Sequence, residues 1–221
     1  MDTVFKSLKE HVYDYIAREM SEGTLKPNDK INEAKVCDIL KISRTPVREA
    51  LIQLASEGII NMVPRKGFYI NEVTLEDAVN LYLLIGNLDG LAARLSCPLL
   101  TKDDYAEMQY YIDSMDLAIN SNKFDAYVQQ QRIFHEIYIN KCDNSILIDT
   151  VSKLESKFIS RNYSDTDTDI DLIKTNLIET NDEHRKILAL LKENKALEAE
   201  QYISKVHWAT NHAHYDSLTN R

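Results

Sequence analysis

Glycine and proline are scarce in this chain, with five Gly and four Pro in 221 residues. Both interrupt regular structure, so their scarcity leaves little room for turns and favours helices with a single hairpin. The three cysteines, Cys37, Cys97 and Cys142, are odd in number and far apart, and no CxxC pair occurs. That removes the usual spacing of a zinc or dithiol redox centre and leaves reduced thiols as the simplest account. No apolar run approaches the ~20 residues needed to span a bilayer, and Met1 leads into amphipathic sequence rather than a signal peptide. A soluble, cytoplasmic protein without a membrane partner is expected.

A basic balance is also lacking, since the net charge is −9. The charges are unevenly spread, however. Residues 1–72 hold 11 basic and 11 acidic residues, and the remainder holds 15 basic and 24 acidic. Screening limits each charge to roughly 10 Å, so a local basic edge can attract phosphate whatever the total. The length suits two modest domains.

What is present is organised around Ile42 to Gly58, ISRTPVREALIQLASEG. Ser43 and Thr45 can cap a helix, and Pro46 fits its first turn, where a missing N–H costs nothing. Val47, Ala50, Leu51, Leu54 and Ala55 recur at helical spacing, and Gly58 suits the left-handed residue that ends such a helix. Arg44, Thr45 and Arg48 fall on the opposite side of the first turns, the place a recognition helix needs them. The preceding NEAKVCDILK reads as a shorter helix capped by Asn32, with Val36, Ile39 and Leu40 inward. Beyond Gly58, an apolar run, the basic turn Pro64-Arg65-Lys66-Gly67 and Phe68-Tyr69-Ile70 read as strand, turn, strand. Together these predict a winged helix-turn-helix, with the first helix, striped by Val4, Leu8, Val12, Tyr15, Ile16 and Glu19, packed beneath it.

The run SRTPVREALIQLASEGII followed by VPRKGFYI resembles the DNA-binding domain of GntR-type bacterial transcription regulators, over roughly residues 5 to 72. The resemblance implies double-stranded DNA as partner, contacted by Arg44, Thr45, Arg48, Arg65, Lys66 and Gly67. Ala34 stands where some relatives carry a further Arg, so one contact fewer is expected there.

After a boundary near Asn71 to Val73 the pattern is helical throughout. A helix from Thr74 to about Ser96 shows one row of Leu81, Leu84, Leu88, Leu91 and Leu95 and another of Val79, Tyr82, Leu83, Gly86, Gly90 and Ala93, which predicts burial on both sides. Gly86 and Gly90 leave space for a close neighbour, either a dimer partner or a ligand. The helix from Phe124 carries two polar residues, Gln131 and His135, on its inner stripe, where a buried polar group must find a partner. Helix continues from Ile146 to Arg161, and SDTDTDID reads as a solvated loop. His184 sits beside Ile187, Leu188 and Leu191, and His207 beside Ile203 and Val206 on a last helix. His212 and His214 fall near its end and receive no site role.

IFHEIYINKCDNSIL, EHRKILALL and AEQYISKVHWA are similar to the effector-binding FCD domain of the FadR branch of that family. The resemblance implies a polar cavity, a metal held by one Asp and three His, and a carboxylate effector. His135, His184 and His207 match the histidines, which implies zinc or nickel, but Gln131 stands in the position of the Asp and is the weaker ligand. Gln131 and Arg161 are candidates to contact an effector. Ile85 replaces a frequent Arg, pointing to a less acidic effector than usual.

The expected fold is therefore mainly α, an N-terminal winged helix-turn-helix over 1–72 and a C-terminal all-helical bundle over 73–221. The expected function is a ligand-responsive, homodimeric transcription regulator on a pseudo-palindromic operator. The competing reading is a metal-dependent hydrolase or lyase, since three histidines can hold a water-activating ion. Glu136 and Glu183, the nearest acids, are expected to face outward, which counts against catalysis.

Overall fold

A computed structural model describes residues 7–158 and 170–215. Those residues divide into two compact units, one of 7–75 with 156–158 and the other of 76–155 with 170–215.

In the first unit, α1 (Leu8–Ser21), α2 (Glu33–Leu40) and α3 (Arg44–Ser56) precede β1 (Ile60–Val63) and β2 (Gly67–Ile70). Ser7 and Glu10 form a reciprocal cap on α1. The Asn32 side chain accepts from the backbone N–H groups of Ala34 and Lys35, and Lys41 ends α2 in the left-handed region. Ser43 occupies the cap position of α3 in extended conformation, although its hydroxyl makes no capping bond. At the other end Gly58 has φ 73°, and Ile59 N–H reaches back to the Leu54 carbonyl at 3.0 Å, closing the helix as its glycine suggests. The strands pair antiparallel, Ile60 opposite Ile70 and Val63 opposite Gly67.

Val12, Ile16, Val36, Val47, Leu51, Leu54, Ile60, Phe68 and Ile70 form one buried core. Ile39 does not join it and is 42% exposed. Val36, Cys37 and Leu40 already define the inner side of this two-turn helix, and Ile39 lies about 100° around from the middle of that side.

The second unit contains α4 (Leu75–Ser96, from Glu76 on), α5 (Lys102–Asn120), α6 (Phe124–Ile139), α7 (Ser145–Glu155), α8 (Ile170–Lys192) and α9 (Ala196–Tyr202). Thr101 and Asp104 form a capping box at the start of α5. The last helix is shorter than its periodicity predicts. It gives way to a π-helical turn, Ile203–His207, in which Trp208 N–H bonds to the Ile203 carbonyl at 2.9 Å. The wider turn buries Ile203, His207 and Trp208 while Val206 is 39% exposed, against the expectation for that residue.

Two expectations for α4 are corrected. Leu83 and Leu84 are 53% and 52% exposed, so within this chain the helix is covered on one side, by way of Ala78, Tyr82, Ile85, Gly86, Asp89, Gly90 and Ala93. The two glycines are used internally. A Cβ on Gly86 would stand 2.6 Å from Trp208 Cβ, and one on Gly90 2.7 Å from the Glu200 carbonyl oxygen. The space they leave is filled by α9 and the turn after it, and so gives no support for a dimer contact or a ligand there. The helix expected to run to Arg161 ends at Glu155, residues 156–158 being non-helical and 159–161 outside the described residues; the stretch 164–169 of the expected acidic loop also lies outside them, whereas Ile170 and Asp171 belong to α8.

Candidate functional site

In the first unit, a groove of about 670 Å³ opens between the starts of α2 and α3 and the β1–β2 hairpin. Arg44, Arg48, Arg65, Lys66 and Gly67 all line it, joined by Lys30 and Ala34, and Thr45 is exposed on the first turn of α3. The core face of α3 fixes this arrangement, because burying Val47, Ala50, Leu51 and Leu54 turns Arg44 and Arg48 outward. At the hairpin tip Arg65 adopts φ 64° and Gly67 φ 107°, and Lys66 N–H bonds to the Val63 carbonyl at 3.0 Å.

Glu33 and Lys30 were not anticipated. The Glu33 carboxylate lies 3.3 Å from an Arg48 terminal nitrogen and 3.6 Å from Arg44 Nε, and so holds both arginines. The Arg48 guanidinium also sits 5.9 Å from the Phe68 ring centroid. Lys30 bridges to Tyr69 along the wing, and its Cε would lie 3.3 Å from a Cβ at position 67. The signal available for Lys30 was its place just before Asn32, in a chain segment that must return to the wing.

The second unit brings together His135 on α6, His184 on α8 and His207 at the end of the π turn, all buried, with one ring nitrogen from each within 4.8 Å of the others. His135 Nε2 is 3.2 Å from His184 Nε2 and 3.1 Å from His207 Nε2. Behind these rings stand two carboxylates. His135 Nδ1 donates to Asp89 Oδ2 at 3.0 Å and His207 Nδ1 donates to Glu183 Oε2 at 2.9 Å. Asp89 also accepts from Tyr138 Oη at 2.5 Å and Trp208 Nε1 at 2.8 Å. Glu183 therefore faces inward, contrary to expectation, because the π turn delivers His207 to its side of α8.

Burial by itself would push the Asp89 carboxyl up, but the charge of His135 and the hydrogen bonds from His135, Tyr138 and Trp208 outweigh it and hold the group below its ordinary value. Burial lowers His207, against the raising effect of Glu183, so this ring favours its neutral form. Burial and the neighbouring Asp89 charge push the Tyr138 phenol well above its usual value, keeping it a donor.

The tautomers follow from these partners. A carboxylate only accepts, so both His135 and His207 carry their proton on Nδ1, and in neutral rings both Nε2 atoms present lone pairs. Two lone pairs 3.1 Å apart in a buried site repel unless a proton or a metal ion lies between or beside them. Tetrahedral zinc with nitrogen ligands at ~2.0–2.1 Å would set those nitrogens roughly 3.3–3.4 Å apart, close to what is found. The donor set fits a divalent ion.

Gln131, one helical turn before His135, is buried. Arg161 lies outside the described residues.

Residues 8–70 match the model described as bacterial regulatory proteins, gntR family, and residues 80–207 match the FCD domain. The chain belongs to the GntR family. It is similar to the HTH-type transcriptional repressor RspR of Escherichia coli (strain K12), 23% identical over 67% of this chain and 65% of that protein's length. To the uncharacterized HTH-type transcriptional regulator YcbG of Bacillus subtilis (strain 168) it is 30% identical over 70% of each chain. The solved structure of E. coli McbR/YncC superposes with a TM-score of 0.80 at 22% identity, covering 96% of this chain and 98% of that one, a likeness of fold. The relatives are named as transcription regulators rather than enzymes.

Proposed function

We propose that this GntR-family chain is a ligand-responsive, DNA-binding transcription regulator. The observation that carries the reading is the groove in which Arg44, Arg48, Arg65 and Lys66 converge with their charged ends free of the core. Arg44 and Arg48 lie where a base edge would be read, and Arg65, Lys66 and the backbone at Gly67 where phosphates would be held, with Thr45 beside them. The chain acts as a homodimer on a pseudo-palindromic operator, because one winged helix reads too few base pairs for selective binding. Residues 1–72 form the DNA-binding domain and 73–221 the effector and dimerisation domain.

His135, His184 and His207 would hold a zinc or nickel ion, which when bound would draw the oxygen of an organic-acid effector. Gln131, four residues before His135 and so on the same helix face, would contact that effector. Effector binding then changes DNA affinity through a coupling free energy of about 1–3 kcal/mol.

The test is an anisotropy titration with operator-containing and unrelated DNA, alongside the metal content of the purified chain and light scattering. Selective binding by a dimer supports the reading. A monomer that binds all sequences alike would remove it.

A further inference from the structure

His135, His184, His207 and Gln131 together bring no negative charge to a bound ion, and a buried dication cannot remain uncompensated. The compensation stands one bond further back. Asp89 is fully buried, yet it is placed against Nδ1 of His135 at 3.0 Å, while Glu183 is placed against Nδ1 of His207 at 2.9 Å. Each carboxylate directs its imidazole to present the Nε2 lone pair inward and makes that nitrogen more basic.

We propose that Asp89 and Glu183 are positioning residues for the divalent ion, fixing two of the three imidazole tautomers and neutralising the ion through those rings. This rests on the metal reading given above. Asp89 carries the larger share, because it is wholly removed from water while the Glu183 side chain remains 15% exposed. Trp208 and Tyr138 hold the Asp89 carboxylate in place, at 2.8 and 2.5 Å, so that its position does not depend on the ion.

A purely structural role for Asp89, tying α4 to α6 and to the segment after α9, makes a different prediction. It would lower stability on substitution without altering affinity for the ion. The experiment uses the full chain, with zinc affinity read by competition against a chromophoric chelator and cobalt absorption as a second signal. Asp89→Asn should weaken zinc about 10–100-fold and Glu183→Gln about tenfold, with changed cobalt spectra. Tyr138→Phe removes a hydroxyl that stands 2.5 Å from Asp89 Oδ1 and 2.6 Å from His135 Nδ1 but leaves the imidazole its carboxylate, and should weaken zinc less than Asp89→Asn does. Nitrogen-15 histidine spectra of the zinc form should show His135 and His207 protonated on Nδ1.

If the parent chain binds zinc and both carboxylate variants bind equally well, the proposal is wrong while the metal reading stands. If the parent chain binds no zinc or nickel, both fall. Should Asp89→Asn fail to fold, Glu183→Gln decides alone, and unchanged affinity in that variant overturns the proposal.

Discussion

Arg44 and Arg48 in the first unit keep 76% and 53% of their side chains exposed and share one acid, Glu33. Asp89 and His135 in the second unit keep 0% and 3%, and each of their polar atoms is placed against a named partner. The exposed set lies in high dielectric, so its pairing is weak and exchangeable, and phosphate or a base edge can displace Glu33 at small cost. The buried set is fixed, because an unmatched group there would cost several kcal/mol. One unit is suited to trading partners and the other to holding a geometry.

The sharpest way to break this comparison is to remove a member of the buried set. His184→Ala should lower zinc or nickel affinity by more than the ~10–100-fold expected for a group behind a ligand. It should also abolish stabilisation by added metal in thermal unfolding. Gln131→Asp should act in the other direction, by placing a carboxylate on the same face as His135. If the first variant binds no more weakly and the second no more tightly, the histidine cluster is only a packed core. Affinity should decline on acidification, because protons compete for neutral imidazole of ordinary pKa about 6.5. Burial lowers His207, which moves its share of that competition to more acidic pH.

For the exposed set, Arg48→Ala should cost about 1–3 kcal/mol on cognate DNA and relax selectivity at one base pair. Lys66→Ala should weaken all sequences alike and reduce the salt slope by about one. Removing Glu33 as Glu33→Gln should tighten binding modestly, since its charge competes with phosphate for both arginines. Equal titration curves for the three variants and the parent chain would mean that the groove does not meet DNA.

How much of this was legible in the sequence depended on periodicity. The inward stripe of α3 and the Gly58 stop set the direction of Arg44 and Arg48 in advance. Apolar neighbours at helical spacing placed each of the three histidines inward, but it was the resemblance to the FCD domain that joined them into one site. Asp89 carried the same signal, three residues after Gly86 and four before Ala93 in the inner row of α4, but a lone acid in a helix ordinarily reads as surface. Glu183 was misplaced for a different reason. The π turn that brings His207 to its side of α8 leaves no mark in the pattern. The glycines of α4 were recognised as close-approach positions, but the sequence could not say that the approaching chain was its own.

That last point can be tested by filling the space. Helix propensity alone predicts that Gly90→Ala stabilises α4 by ~1 kcal/mol. The new Cβ would meet the Glu200 carbonyl oxygen at 2.7 Å, a backbone atom that cannot swing aside. Overpacking of this kind costs typically 1–3 kcal/mol, so a net loss of about 1 kcal/mol is expected in denaturant unfolding. Gly86→Ala meets Trp208 Cβ and should also disturb the ring that donates to Asp89. A gain in stability for both would place the contact elsewhere.

The smallest expected effect lies in the first unit, where one nearly buried charge departs from the exposed pattern. Glu19 on α1 accepts from Lys35 Nζ at 2.5 Å and from Thr24 Oγ1 at 3.1 Å, tying α1 to the start of α2. The Lys35 hydrogen bond, against the opposing effect of burial, lowers the Glu19 carboxyl below its ordinary value. A carboxyl with a lowered folded-state pKa stabilises the fold above its unfolded value of about 4.3 and loses that contribution as pH falls through the folded value. Glu19→Gln should therefore cost about 1 kcal/mol near neutral pH, at the low end for a charge-assisted bond because Lys35 is half exposed. The difference between variant and parent should shrink as pH drops below about 4. A constant difference across that range would show that Glu19 contributes by packing alone, and that even this buried acid behaves like the rest of its unit.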